Sequence, residues 1–196
     1  MAICWKDKAG LRLHIAQLCE ELPVAERSAR SLEATERIKV ILGRIRTATV
    51  MFYSTLPDEV DTMPLVKWWM NKGNSVLLPR VRIPKVQLIA CRVADLERDL
   101  IKAEYGIRVP TSECESVTPA EIDVVVVPGR AFDERCNRLG RGRGFYDRFL
   151  KELPPEVLKV GLAFEFQLLT NIPVSPNDVA MDVVVTDQRT LHASRD

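Results

Sequence analysis

The stretch Ile122-Asp-Val-Val-Val-Val127 decides the fold class, because it is the clearest strand in the sequence. A short run that is apolar almost throughout is typical of a strand buried on both faces at the centre of a parallel sheet. Helical patterns at 11–22, from 24, from 62 and at 145–153 alternate with further predicted strands at 47–53, 75–78, 86–93, 158–164 and 181–186. This alternation predicts a three-layer α/β/α fold with a mostly parallel central sheet. Between the third and fourth strands, residues 94–121 are polar and interrupted by prolines, and we expect a short helix and loops there.

Length and charge exclude several classes of protein. The chain has 196 residues, which favours a single domain over 1–196. Its net charge of +1 argues against a protein that coats nucleic acid or an anionic membrane. There is no apolar run long enough to span a membrane and no signal-peptide pattern at the start, so we expect a cytoplasmic protein. The five cysteines are scattered without metal-site spacing, and the only histidines are His14 and His192, which nearly excludes a multi-histidine metal site.

The segment Pro128–Arg148, PGRAFDERCNRLGRGRGFYDR, directly follows the central strand. It holds six arginines, and Gly140, Gly142 and Gly144 stand just before a predicted helix. Glycines allow close approach of a ligand, a helix start offers unpaired N–H groups, and arginines bind phosphate oxygens. The segment therefore predicts a polyphosphate site, although it matches neither the dinucleotide-binding nor the Walker A pattern. RNA binding is the second interpretation, and sparse aromatic residues count against it.

Other candidate residues have a structural interpretation beside a functional one. Lys8 and Arg12 share a helix face and could reach a ligand, but from spacing alone a solvated basic face is the simpler reading. Asp147, in the first turn of its helix, either complements the helix dipole or holds Mg²⁺ near phosphates. Asp178 is a capping or surface residue unless it lies near Asp147. Glu59 is a solvated loop acid or a substrate contact at the end of a strand.

The run from Val127 to Phe149 resembles the characteristic segment of 5-formyltetrahydrofolate cyclo-ligases, also called 5,10-methenyltetrahydrofolate synthetases. Further pieces occur in that family's order and cover most of the chain: Lys8-x-x-Leu-Arg12, Glu59-Val-Asp-Thr62, Leu77-Leu-Pro79, Tyr105-Gly-Ile107, Gly161-Leu-Ala-Phe-x-x-Gln167 and Asn177-Asp178. The resemblance implies a three-layer α/β enzyme that uses ATP and Mg²⁺ to close 5-formyltetrahydrofolate to 5,10-methenyltetrahydrofolate, releasing ADP and phosphate. It implies phosphorylation of the formyl oxygen followed by attack of N10.

The resemblance also assigns roles to residues. The ATP contacts that it implies are Lys8, Arg12, Arg138, Gly140, Arg141, Gly142, Arg143, Gly144, Phe145 and Tyr146. It implies Arg141, Arg143 and Tyr146 as the catalytic group, Leu56, Glu59 and Tyr146 as folate contacts, and Asp147 and Asp178 as magnesium ligands. We further expect a cytoplasmic monomer that takes part in one-carbon metabolism. Its substrate would be 5-formyltetrahydrofolate in simple or polyglutamated form, and it would have no nucleic-acid or membrane partners.

Three positions depart from the family's usual pattern. Arg130 stands where a small or aliphatic residue is common, Phe145 replaces a tyrosine, and Val109 replaces a frequent glutamate. These departures leave open a non-catalytic member of the same fold that only binds folate or nucleotide.

Overall fold

Four α-helices and thirteen strands make up the part of the chain described by the computed structural model, which is residues 7–45 and 48–194 without the side chain of Tyr105. The helices are α1 (Lys8–Glu21), α2 (Val24–Leu42), α3 (Met63–Asn71) and α4 (Phe145–Glu152). The strands are β1 (Thr49–Met51), β2 (Ser75–Arg82), β3 (Gln87–Val93), β4 (Leu100–Lys102), β5 (Arg108–Pro110), β6 (Ser116–Val117), β7 (Val124–Pro128), β8 (Ala131–Asp133), β9 (Arg138–Leu139), β10 (Leu158–Leu162), β11 (Leu168–Leu169), β12 (Val183–Val185) and β13 (Thr190–His192).

The main sheet has eight strands in the order β13-β12-β10-β7-β1-β2-β3-β6. The five strands from β12 to β2 run parallel to one another, and β3, β6 and β13 are antiparallel additions at the two edges. The predicted mostly parallel sheet is confirmed, with β7 inside it as the sequence indicates. In a parallel sheet the carboxyl ends of the strands share one edge, which is where ligands bind in such folds.

The valines of β7 separate the two sides of the sheet. Val124 and Val126 pack in a cluster with residues of α2 and α3, whereas Val125 and Val127 pack on the opposite side with residues of α4. All four are at most 1% exposed, so β7 is buried on both faces. The period-two alternation of side chains along a strand thus produces the three layers from a continuous valine run.

Several element boundaries differ from the sequence-based expectation. No α-helix forms over 94–121; the segment holds β4, β5, β6 and 3₁₀ turns, and its backbone pairs as strands instead, β4 with β5 and β6 with β3. The first strand is three residues long rather than seven, and its predicted start, Thr47, lies outside the described residues. The edge strand β13 and the short strands within 128–144 have no periodic pattern that would have predicted them.

A small second sheet, β11-β8-β9, follows β7 and carries the glycine-rich segment. The Phe132 ring fixes it to the main sheet by packing directly on two glycines. A Cβ atom on Gly129 would lie 2.6 Å from the ring, and one on Gly161 would lie 2.5 Å from it. Only glycine permits such an approach, which explains a requirement for glycine in the middle of β10. On its other side the hairpin packs against Leu11 and Ile15 of α1.

Buried Asp133 organises the turn of this hairpin. Its Oδ1 accepts hydrogen bonds from the backbone N–H groups of Arg135 (3.0 Å) and Asn137 (2.9 Å). Its Oδ2 accepts from the Asn137 side chain at 3.0 Å and from the Ile172 N–H at 3.3 Å. A carboxylate with this many donors is well accommodated without a cation partner.

Among the described residues, no helix is long and apolar enough to cross a membrane. Cys19, Cys91 and Cys136 are buried free thiols, and Cys114 is a half-buried one. Burial raises the pKa of Cys19 to about 11, with the nearby Asp58 charge acting in the same direction, so this thiol is unreactive near neutral pH.

Gly161→Ala should therefore destabilise the protein. The new methyl group must displace the Phe132 ring, and overpacking of this kind costs about 1–3 kcal/mol. The measurement is the free energy of unfolding in urea. Gly10→Ala is the matched control, because a Cβ there meets only the Asp7 side chain at 3.4 Å in the first turns of α1. An equal or smaller loss for Gly161→Ala than for Gly10→Ala would contradict the anchoring role of Phe132.

Candidate active site

Four segments converge at the carboxyl edge of the sheet. They are the loop between β1 and α3, the glycine loop 140–144, the first turns of α1 and the segment 175–178. The glycine loop contacts two of the other three through side-chain hydrogen bonds, and α1 contacts the segment 175–178. Residues far apart in the sequence therefore form one continuous site.

A cavity of about 280 Å³ opens between the glycine loop and the β2–β3 hairpin. Its walls are mostly apolar, with a few polar and charged side chains among them. It is lined by Tyr53, Ser54, Leu56, Glu59, Pro79, Val81, Leu88, Ile107, Val109, Pro128, Gly129, Arg138, Arg141, Arg143, Gly144, Phe145 and Tyr146. Apolar walls with a few convergent polar groups are typical of a site for a flat organic ligand. The three predicted folate contacts, Leu56, Glu59 and Tyr146, all lie in it.

Glu59 is held in place by a braced loop. The Tyr53 hydroxyl donates to the Val60 carbonyl at 2.6 Å, and the Thr62 hydroxyl donates to the Tyr53 carbonyl at 2.9 Å. The Leu56 N–H donates to Glu59 Oε2 at 3.0 Å. These bonds close the loop on itself and leave the Glu59 carboxylate 8% exposed, facing the cavity.

Arg141 is the cation partner of Glu59. Its Nε and Nη2 donate to Glu59 Oε1 at 3.1 and 2.9 Å, and Nη2 also contacts Asp58 Oδ1. Burial raises the pKa of Glu59 above its ordinary value, and the Arg141 charge offsets this only in part. The cavity therefore holds a carboxylate that is desolvated and ready to accept hydrogen bonds.

Tyr146 and Arg138 form the inner wall beside Glu59. Burial, reinforced by the Glu59 charge, raises the pKa of Tyr146 well above its ordinary value, so the phenol keeps its proton and can donate. Arg138 is 3% exposed, lies over the Tyr146 ring at 5.8 Å, and donates to Asp147 Oδ1 at 2.7 Å and to the Pro128 carbonyl at 3.2 Å. Its guanidinium thus links β9 to the first turn of α4, and direct contact with ATP stays a prediction.

The glycine loop leads into the N-terminus of α4. Gly142 and Gly144 have φ of +106° and +71°, values that side-chain-bearing residues rarely adopt. Arg12 Nε donates to the Gly140 carbonyl at 2.8 Å, and its guanidinium lies against Gly142. The loop therefore presents backbone and a cation together at a helix start, where unpaired N–H groups favour anions.

Lys8 and Asp178 contact each other, although 170 positions separate them in the sequence. Lys8 Nζ also donates to Ser175 Oγ at 2.8 Å, and the Asp178 carboxylate accepts from the Ser175 N–H at 2.7 Å. Next to them, Lys151 Nζ donates to Asn177 Oδ1 at 2.9 Å, which joins this segment to α4. Asp147 and Lys151 are four residues apart on α4, so Asp147 lies on the helix face turned toward the segment that carries Asp178.

Most cations of the site have acidic partners. Lys8 pairs with Asp178, Arg138 with Asp147, and Arg141 with Asp58 and Glu59. Within residues 7–45 and 48–194, Arg12 and Arg143 form no ion pair. These two cations, Arg12 against the glycine loop and Arg143 within it, carry the uncompensated positive charge that an incoming polyphosphate would meet.

The carboxylates Asp147 and Asp178 suit a magnesium ion. No group of three or more His, Cys, Asp or Glu side chains gathers in the described part of the chain. Magnesium does not need such a cage, since it is commonly held by one or two carboxylates, several waters and substrate phosphates. Each carboxylate has an oxygen outside its ion pair, Asp147 Oδ2 and Asp178 Oδ1, so the donor set fits a hard cation.

The sequence analysis missed several residues of the site. Asp58 contacts both Arg141 and Arg130, and its position next to Glu59 was the only local signal for it. The Ser54 hydroxyl lines the cavity and has no hydrogen-bond partner among the described residues. Val81 and Leu88 form the outer wall from the β2–β3 hairpin, and nothing in the sequence places that hairpin beside the glycine loop.

Comparison with known proteins agrees with this geometry. The chain is 32% identical over 195 residues to the 5-formyltetrahydrofolate cyclo-ligase of Mycolicibacterium smegmatis, with 97% of this chain and 98% of the relative covered. It is 28% identical to the mouse 5-formyltetrahydrofolate cyclo-ligase, with coverage of 91% and 92%. The NMR structure of Aquifex aeolicus 5,10-methenyltetrahydrofolate synthetase superposes with a TM-score of 0.83 at 31% identity, covering 96% of this chain and 94% of that one.

The family model described as the 5-formyltetrahydrofolate cyclo-ligase family matches residues 5–187. That match includes every segment that forms the site, from Lys8 to Asp178. With the sheet, the cavity and the glycine loop in the arrangement described above, the chain belongs to the 5-formyltetrahydrofolate cyclo-ligase family.

Proposed function

We propose that this chain carries out ATP-dependent closure of 5-formyltetrahydrofolate with the pterin in the Glu59 cavity and the ATP phosphates on the glycine loop. The observation that carries the proposal is the contact of Arg141 with Glu59, because it joins the apolar cavity to the phosphate-binding loop. A formyl group bound in the cavity then lies beside the groups that handle a transferring phosphoryl group.

The phosphate subsite is assigned to Lys8, Arg12, Arg143 and the glycine loop. Arg12 lies against the loop and Arg143 within it, both without acidic partners among the described residues, and the α4 N-terminus adds backbone N–H donors. Lys8 is already paired with Asp178, so it joins the phosphates as part of a charge-balanced pair. Bidentate arginine bonds and helix N-termini are the usual means of holding phosphate oxygens.

The folate subsite is assigned to Glu59, Leu56 and Tyr146. A carboxylate facing a cavity matches adjacent N–H donors on a pterin ring, and the apolar walls cover the ring faces. The Tyr146 phenol, kept protonated by burial, donates to ligand oxygen. Phe145, where many relatives have tyrosine, contributes a ring without a hydroxyl at the same wall.

The chemistry needs placement and charge rather than a protein nucleophile. The formyl oxygen attacks the γ-phosphorus of ATP, and ADP leaves. N10 then attacks the activated carbon, and phosphate departs with the former formyl oxygen and takes up the proton that N10 loses. Arg141 and Arg143 stabilise the negative charge on the transferring group, and the cavity excludes water. Positioning and electrostatic stabilisation account for most catalysis in phosphoryl transfer.

Magnesium belongs to the proposal through Asp147 and Asp178. When bound, such an ion neutralises phosphate charge and orients the transferring group. The two aspartates would hold it, and their present partners Arg138 and Lys8 fix the orientation of each carboxylate.

We also propose that the protein is a cytoplasmic monomer that acts on free or polyglutamated folate and has no nucleic-acid or membrane partners. The four free thiols among the described residues suit a reducing compartment. Sedimentation at micromolar concentration tests the oligomeric state.

The direct test mixes the protein with ATP, Mg²⁺ and 5-formyltetrahydrofolate. ADP should form in step with methenyltetrahydrofolate, which is followed by its absorbance. Folate and nucleotide binding without ADP release would contradict the proposed use of the site.

Arg143→Ala should lower kcat by about 10²–10³, the cost of removing one group that stabilises charge in the transition state. Arg135→Ala is the matched control, because Arg135 is an exposed arginine of the same segment outside the cavity. Equal rates for the two variants would show that Arg143 only shapes the loop.

Glu59 should produce the acid limb of the pH profile. Its carboxylate must be ionised to accept pterin N–H groups, so kcat/KM falls as pH drops through its raised pKa, which lies above the ordinary 4.5. Glu59→Gln should lose about 10- to 100-fold in kcat/KM, the value of a charged hydrogen bond. The same substitution should remove that limb; a limb unchanged in Glu59→Gln would assign it to another group.

Asp178→Asn should raise the magnesium concentration that gives half-maximal activity by roughly tenfold or more. The amide keeps the shape of the side chain but loses the charge that a hard cation requires. Glu156→Gln, on an exposed turn, is the control for the change in net charge. A magnesium requirement equal to that of the control would remove Asp178 from the metal site.

A further inference from the structure

Asp58 lies between two arginines that come from different segments. Its Oδ2 pairs with Arg130 Nη1, and its Oδ1 pairs with Arg141 Nη2. The side chains of Asp58 and Arg130 are 24% and 16% exposed, so water screens this cluster less than a surface pair. The cluster joins the β1–α3 loop, the turn between β7 and β8, and the glycine loop.

Arg141 therefore donates hydrogen bonds to two carboxylates in this structure. Besides Asp58, it holds Glu59 Oε1 through Nε and Nη2. A guanidinium with five donors in a fixed plane cannot hold both carboxylates and also grip a phosphate bidentately. To hold a phosphate bidentately through Nη1 and Nη2, Arg141 must give up an Nη2 contact with Asp58 or Glu59.

Arg130 lowers the free-energy cost of moving Arg141 away from Asp58. If Asp58 had Arg141 alone, the departure of Arg141 would leave a half-buried carboxylate without a cation, which is strongly unfavourable. With Arg130 on its other oxygen, Asp58 stays neutralised. Burial raises the pKa of Asp58, but the hydrogen bonds and charges of Arg141 and Arg130 outweigh this and hold it below its ordinary value. The carboxylate is thus ionised and shared.

We propose that Asp58 and Arg130 are a positioning pair that controls where Arg141 lies: Asp58 holds Arg141 beside Glu59 when no nucleotide is present, and Arg130 weakens that hold so that Arg141 can move to the phosphates. The inference rests on the proposed nucleotide site. It also gives a role to Arg130, a charged residue whose side chain is 16% exposed.

The proposal predicts opposite effects of two substitutions on nucleotide affinity. Arg130→Met leaves Asp58 to Arg141 alone, so a non-hydrolysable ATP analogue with Mg²⁺ should bind about tenfold more weakly by calorimetry. Asp58→Asn releases Arg141 from one acid, so the same analogue should bind about three- to tenfold more tightly. The double variant should resemble Asp58→Asn, because Arg130 acts only through Asp58.

Matched variants separate this mechanism from general charge and from folding. Arg135→Met and Glu134→Gln make the same charge changes on exposed residues of the same hairpin and should leave the affinity unchanged. Arg130→Lys keeps the cation and should restore most of the affinity lost in Arg130→Met. If Arg130→Met does not fold, the contrast between Asp58→Asn and Arg130→Lys carries the test.

Weaker binding in both single variants, or affinities equal to the controls, would overturn the positioning role and leave the pair as scaffold. The wild-type protein distinguishes this failure from a failure of the proposed function. If the wild type does not bind the analogue, the nucleotide site itself is wrong; if it binds and only the variants depart from expectation, the inference about Asp58 and Arg130 is wrong.

Discussion

The packing of the Phe132 ring on Gly129 and Gly161 is the constraint on which the site depends. It brings a small hairpin flat against the ends of β7 and β10, and the hairpin carries the glycine loop and its arginines. Asp133 fixes the turn of the same hairpin through four hydrogen bonds. The polar loop is therefore placed by the Phe132 ring and the buried Asp133 carboxylate, and neither of these two side chains lines the cavity.

The local sequence predicted what depends on local pattern. The valine run of β7, the helical spacing of α1 and α2, and the glycines before α4 each reflect a periodic or conformational requirement, and each lies where it was expected. The short strands β8, β9 and β13 have only two or three residues, which is too few for any period to emerge.

The sequence brought many of these residues to attention, but not the contacts among them. Glu59, Arg141 and Tyr146 line one cavity, and Lys8 contacts Asp178. The roles that the resemblance implies for these residues stay predictions. The pairing of Asp58 with Arg130 spans 72 positions and leaves no local trace. Arg138 also differs from the local expectation. It belongs to the arginine-rich segment that suggested phosphate binding, but its side chain is buried and donates to Asp147. The sequence shows which charged residues are present, whereas the tertiary structure determines which of them form ion pairs.

The contact between Lys8 and Asp178 has a consequence for synthesis of the protein. One partner lies in α1 and the other shortly before β12. During translation Lys8 leaves the ribosome well before Asp178, which is synthesised 170 positions later. A nascent chain halted before that point has the arginine loop but not Asp178, so ribosome-bound fragments lack the ion pair of Lys8 until the segment 175–178 has emerged.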